Sequence, residues 1–261
     1  MDVAPRHIGV VGGMGPEATH AFIGHVLSIA RSTYGAARDA DYPRMSIENL
    51  PLPGLTAQGF EEQEAALDAM TDAIALLARR GAEVIAIPCN TTHTLHDQLQ
   101  ANVPVQVLNI LEETITSAAS AGGTRAYILG TCMTVQEKLH QLPATGRVEV
   151  TYPSEALQTK VESLITRLES GPDAEYAESI YLELITEARS MGADTLILGC
   201  TELSISPPSN TQGLICIDSS RVLAEQLLAH AYRAIPSSPK ARETESESLE
   251  TPSSPYAEAH T

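Results

Sequence analysis

Short apolar runs alternate along this chain with longer stretches in which apolar positions recur every three or four residues. The short runs are Ile8 to Gly12, Met45 to Asn49, Glu83 to Pro88, Val105 to Leu108, Arg125 to Gly130, Val148 to Tyr152, Thr195 to Gly199 and Leu214 to Ile217. Their length and content predict buried strands. Pro16 to Ser32, Glu61 to Arg80, Glu155 to Ser170 and Asp173 to Met191 carry the amphipathic helical period, and Gly81 and Gly192 stand where helix-ending glycines are expected. Strand and helix in alternation predict an α/β protein with parallel sheets.

The eight predicted strands fall into two sets of four that resemble each other in order. Ile8-Gly9-Val10-Val11-Gly12-Gly13-Met14 parallels Ala126-Tyr127-Ile128-Leu129-Gly130-Thr131-Cys132-Met133, and Ile85-Ala86-Ile87-Pro88-Cys89 parallels Leu196-Ile197-Leu198-Gly199-Cys200. Duplication of a four-stranded unit is the simplest explanation. Ligands of open parallel sheets bind beyond the carboxyl ends of the strands. Cys89 and Cys200 lie at such ends, so two facing units would bring their thiols together around a small ligand.

Composition narrows the partners. The chain has 261 residues, 43% of them hydrophobic, and 33 Asp+Glu against 16 Lys+Arg for a net charge of −17. Nucleic acid and anionic membranes call for a basic surface, which this balance does not offer. No apolar run reaches the length of a membrane span, and the first residues lack a basic segment followed by a long apolar core. A cytoplasmic location is expected. Cys89, Cys132, Cys200 and Cys216 form no C-x-x-C and no zinc-ligand spacing, so free thiols and no metal are expected. From about Ile235 the chain turns to Ser, Pro, Glu and Thr, and 235–261 reads as a disordered acidic tail.

The glycines of Gly12-Gly13-Met14-Gly15-Pro16 have the wrong spacing for a dinucleotide fingerprint. They fit a tight strand-to-helix turn, with Pro16 near the first helical position and backbone N–H groups free to hold a carboxylate. Opposed thiols suit proton transfer at a single carbon. Inverting an α-carbon without an electron sink needs a base on one face and an acid on the other, and a Cys is readily tuned between thiol and thiolate. Asn90, Thr91, Thr92 and Thr201, beside the two cysteines, offer donors for an α-carboxylate and its developing charge. The plainer readings are that Cys132 and Cys216 are ordinary thiols, Cys216 in the core, that His93 caps or packs, and that Glu202 is a helix-terminal acid.

Three ordered motifs, GGMGPEAT, PCNTTH and LGCTEL, resemble the aspartate racemase branch of the aspartate/glutamate racemase family, and the resemblance covers nearly all of residues 7 to 232. It implies two α/β lobes related by pseudo-two-fold symmetry with the site between them, no cofactor, an amino-acid substrate and a homodimer. The lobes would comprise residues 1–110, completed by a helix over 219–233, and 111–218. Cys89 and Cys200 would be the two bases of a racemase acting on aspartate or glutamate. Met14, Asn90, Thr91, Thr92, Thr131, Thr134, Thr201 and Glu202 would bind or line the substrate.

Two departures bear on specificity. Leu55 stands where the family has an arginine for the distal carboxylate, leaving Lys160 at the family's lysine position as the expected distal contact, with Arg44 as a possible substitute. Thr92 replaces an alanine. Racemisation of another α-amino acid or a hydantoin, or a binding protein that has lost turnover, are the alternatives these departures leave open.

Overall fold

The computed structural model describes residues 5–52 and 54–233; the segment expected to be disordered, 235–261, lies outside the described residues. In chain order the elements are β1 Ile8–Gly12, α1 Pro16–Tyr34, β2 Met45–Asn49, β3 Leu55–Thr56, β4 Gly59–Phe60, α2 Gln63–Arg79, β5 Val84–Ala86, α3 His96–Asn102, β6 Gln106–Val107 and α4 Ile110–Ser120. There follow β7 Arg125–Leu129, α5 Cys132–Gln136, α6 Gln141–Ala144, β8 Glu149–Thr151, α7 Glu155–Leu168, α8 Ala174–Ser190, β9 Thr195–Leu198, β10 Ile215–Asp218 and α9 Ser219–Ala231.

Two four-stranded sheets form, in the orders β2-β1-β5-β6 and β10-β9-β7-β8, with every neighbouring pair parallel. Read from its other edge the second sheet runs β8-β7-β9-β10, so each lobe repeats one topology. The repeat extends to the paired centre: β1 pairs β5 with Ile8 opposite Val84, and β7 pairs β9 with Ala126 opposite Thr195. These central strands are apolar on both faces because helices cover both. Ile8, Val10, Ile85, Ala126, Ile128 and Ile197 are fully buried.

Helix α9 begins where β10 of the second sheet ends, capped by the Asp218 carboxylate, which accepts from the N–H groups of Ser220 and Arg221. It then packs on the first sheet. Its Leu223, Ala224, Leu227, Leu228 and Ala231 share one core with Ile8 and Val10 of β1, Phe22 and Val26 of α1, and Val84 of β5. No helix among the described residues is long and apolar enough to cross a membrane.

Three local features differ from expectation. The hairpin β3–β4, whose strands have two residues each, is too short for an alternating pattern to announce it. The segments after both cysteines, whose polar, turn-forming residues could open a helix, begin as short 3-10 helices, Thr91–Leu95, which runs on into α3, and Thr201–Ile205. Cys216 is exposed and not core: β10 is an edge strand, and Cys216 falls on its uncovered side between half-buried Ile215 and buried Ile217.

Candidate active site

The first wall of the site is the turn after β1. Gly13 has φ +93°, and a Cβ there would stand 2.5 Å from the Leu50 carbonyl oxygen, so only glycine fits. Thr19, one turn into α1, closes the loop: its hydroxyl accepts from the Gly13 N–H at 2.9 Å and donates to the Gly15 carbonyl at 2.9 Å. Gly15 is the N-cap and Pro16 opens the helix. The carboxylate expected at this turn is supplied by the protein itself, since the Gly15 N–H donates to Glu202 Oε1 at 3.1 Å.

Cys89 and Cys200, 7% and 6% exposed, open into one cleft of about 310 Å³ between the lobes. Their surroundings are unequal. Burial pushes the Cys89 thiol up to about 11, and the Glu202 carboxylate adds to the rise; the backbone N–H groups of Thr91 and Thr92 and the Thr92 hydroxyl act against it by favouring thiolate. Cys200 is raised well above the usual thiol range, first by burial and then by Glu202. Its S–H donates to Glu202 Oε2 at 2.9 Å, which holds the proton on sulfur. Cys89 thus faces donors and Cys200 faces an acceptor.

The lobes meet through polar contacts around the thiols. The Thr201 hydroxyl donates to the Pro88 carbonyl at 3.0 Å and the hydroxyls of Thr91 and Thr131 lie 3.3 Å apart, while within the first lobe the Asn90 amide nitrogen donates to Ser219 Oγ of α9 at 3.0 Å. Asn90 is 2% exposed and lines the cleft, yet its buried Oδ1 has no hydrogen-bond partner among the described residues. An acceptor so enclosed is costly to leave unpaired. The hairpin β3–β4 closes another side, fastened to the second lobe by the Met133 N–H donating to the Ala57 carbonyl at 3.0 Å.

Of the residues singled out from sequence, Met14, Asn90, Thr91, Thr131, Thr201 and Glu202 join Cys89 and Cys200 in lining the cleft. Thr92 and Thr134 are fully buried behind it, Thr92 donating to the Cys89 carbonyl at 2.9 Å and Thr134 placed 3.0 Å from the Thr131 hydroxyl. His93 also serves the loop, with Nδ1 2.7 Å from the Cys89 carbonyl; burial lowers its imidazole to about 4 and keeps it neutral. Lys160, the expected distal contact, stands outside the lining, its ammonium 2.6 Å from Glu183 on α8, and Arg44 is likewise outside it. Leu55 is part of the wall.

The lining also includes Leu52, Thr56 and Ala57 around the hairpin, Glu17 on α1, and Ile165 and Glu169 at the end of α7. These were not anticipated. Ile165 and Glu169 are four residues apart and share a helix face, a spacing visible in sequence, but which face meets the cleft is fixed only by lobe packing.

A sequence model of the Asp/Glu/hydantoin racemase family matches residues 11–227. The broad specificity amino-acid racemase RacX of Bacillus subtilis is 31% identical over 222 residues, spanning 85% of this chain and 96% of that protein. Among solved structures, the Picrophilus torridus aspartate racemase superposes with a TM-score of 0.75 at 26% identity, covering 87% of this chain and 94% of that one. An aspartate racemase homologue from Pyrococcus horikoshii shares the fold at a TM-score of 0.75 and 24% identity, over 87% of this chain and 99% of that one.

Proposed function

This chain belongs to the Asp/Glu/hydantoin racemase family and is an amino-acid racemase, an isomerase, and we propose that it inverts the α-carbon by a two-base mechanism using Cys89 and Cys200. The observation that carries the reading is the opening of two buried thiols, one from each lobe, into a single cleft.

One sulfur, as thiolate, takes the α-proton from one face of the bound amino acid; the other, as thiol, returns its own proton to the opposite face. The enzyme ends the turnover with the proton on the first sulfur and the charge on the second. The opposite enantiomer then reacts with the roles exchanged. Both proton transfers are supplied by the protein's own sulfurs, so the proposal includes no cofactor. Both thiols are raised by burial, but the N–H groups of Thr91 and Thr92 favour the Cys89 thiolate, so Cys89 is the better suited of the two to act first as base, with Cys200, held by Glu202, as thiol.

Asn90, which lines the cleft beside Cys89, is suited to contact the α-ammonium. The Thr91 and Thr131 hydroxyls, one from each lobe, are suited to donate to the α-carboxylate, where charge grows as the proton leaves. From behind, Thr92 holds the Cys89 carbonyl and Thr134 the Thr131 hydroxyl.

Aspartate or glutamate is the substrate suggested by the motif resemblance and by the name of the Picrophilus relative, whereas the name of the Bacillus relative points to wider use. A homodimer, a cytoplasmic location and lobes of 1–110 with helix 219–233 and 111–218 belong to the same reading. The packing of α9 on the first sheet supports that lobe division.

The test is racemisation, followed by circular dichroism or chiral chromatography with a panel of L- and D-amino acids, of the intact protein and of Cys89→Ala and Cys200→Ala. Each single variant is expected to lose at least about a hundredfold in kcat, the contribution of a positioned acid or base. Racemisation by either variant at the unaltered rate would remove that cysteine from the mechanism.

A further inference from the structure

The proposed function leaves the substrate's side chain open, and the cleft wall bears on it. Among the described residues that line the cleft, none is Lys or Arg; the charged ones are Glu17, Glu169 and Glu202. Glu202 is engaged by Cys200 and Gly15 at the reacting centre. Glu17 lies 4.0 Å from His20. Glu169 differs from both, having no side-chain hydrogen bond or ion pair among the described residues. It stands exposed at the C-cap of α7, one helical turn beyond buried Ile165. Leu52, Leu55 and Ile165 share the cleft lining with the thiols and Glu169 and give it an apolar wall suited to methylene groups. An acidic side chain laid along this wall would carry its charge toward a carboxylate and meet no cation.

We propose that Glu169 is a specificity-determining residue that receives the cationic end of a long basic amino acid, the lysine or ornithine type, whose methylenes lie along Leu52, Leu55 and Ile165. This inference rests on the racemase reading and adds the side-chain class. Glu169 touches the distal end only and takes no part in proton transfer.

The experiment measures α-proton exchange in heavy water on the full chain with lysine, norleucine and glutamate, in the intact protein and in Glu169→Gln. Norleucine is the uncharged counterpart of lysine. Intact protein is expected to favour lysine over glutamate by about tenfold or more in kcat/KM, since Glu169 attracts the lysine ammonium and repels the glutamate carboxylate. In Glu169→Gln, lysine is expected to lose about threefold to fivefold through KM while norleucine is unchanged. Equal or faster exchange of glutamate overturns the side-chain class and leaves the racemase reading standing. So does an unchanged ratio of lysine to norleucine in Glu169→Gln. If no amino acid exchanges its α-proton, the racemase reading itself fails, and this inference with it.

Discussion

The two cysteines of this protein sit in sequence settings that look alike and in chemical settings that do not. Cys89 is met by N–H and hydroxyl donors, Cys200 by a carboxylate oxygen at 2.9 Å, and burial raises both thiols. Alkylation of the substrate-free protein by iodoacetamide should therefore keep accelerating through the alkaline range, without levelling near the ordinary thiol value of 9.0, because Cys89 titrates at about 11. Glu202→Gln removes a negative charge from both sulfurs and should move the alkylation profile to lower pH; an unmoved profile would show that Glu202 does not act on the thiols. The thiols and their neighbours Asn90, Thr91, Thr201 and Glu202 were legible in sequence because they are contiguous with the strands that position them. Glu169 and Ile165 were not, since their approach to the cleft comes from the packing of α7 and not from any local pattern. Lys160 was placed by analogy of position, and its pairing with Glu183 on a neighbouring helix depends on a contact between residues far apart in sequence.

At the scale of elements, the strand–turn–helix units are the parts that most directly aim the site. The turn joining β1 to α1 works because Gly13 adopts φ +93° against the Leu50 carbonyl. Gly13→Ala should cost about 1 to 3 kcal/mol, read from the urea midpoint, and should lower racemisation more than stability alone explains, since Gly15 and Glu202 hang on that turn. Strands β1, β2, β5, β7 and β9 could be read from their apolar runs, as could the first turn of α1 from Pro16. The hairpin β3–β4 could not, for two-residue strands carry no periodicity, although its Leu55, Thr56 and Ala57 close the cleft. The exposure of Cys216 was hidden for a related reason: its strand is apolar, but an edge strand has one side uncovered. Helix α9 shows the reach of tertiary packing. Leu227, fully buried against the first sheet though it follows the last strand of the second, should cost about 2 to 5 kcal/mol when cut to alanine, a loss measurable by chemical denaturation.

Across the whole molecule, the repeated order of the two sheets turns duplication into function: each copy ends a central strand at a cysteine, and the copies face one another. The duplication was legible from the paired segments in the sequence, and the matching sheet orders bear it out. The buried histidines at the lobe junction carry no such sequence signal. His140, near Gly199, is fully buried with neither ring nitrogen hydrogen-bonded among the described residues, and burial lowers both it and His93 to about 4 from 6.5. The unfolded chain therefore binds more protons than the folded one between these values. Stability should be full above pH 6.5 and fall as pH drops toward 4, by on the order of 3 kcal/mol for each imidazole. Glu113 and Glu169, raised by burial but partly exposed, act weakly in the opposite sense. Urea titrations across that window should show the slope, and His140→Leu should remove about half of it; a flat dependence would mean that the imidazoles are not held neutral. The central claim, that the two thiols work from opposite faces of one carbon, is tested most directly by early-turnover exchange in heavy water starting from a single enantiomer. Opposed monoprotic thiols predict deuterium at the α-carbon of the product while the remaining substrate stays unlabelled; label appearing equally in recovered substrate would contradict a two-base site and point to a single base.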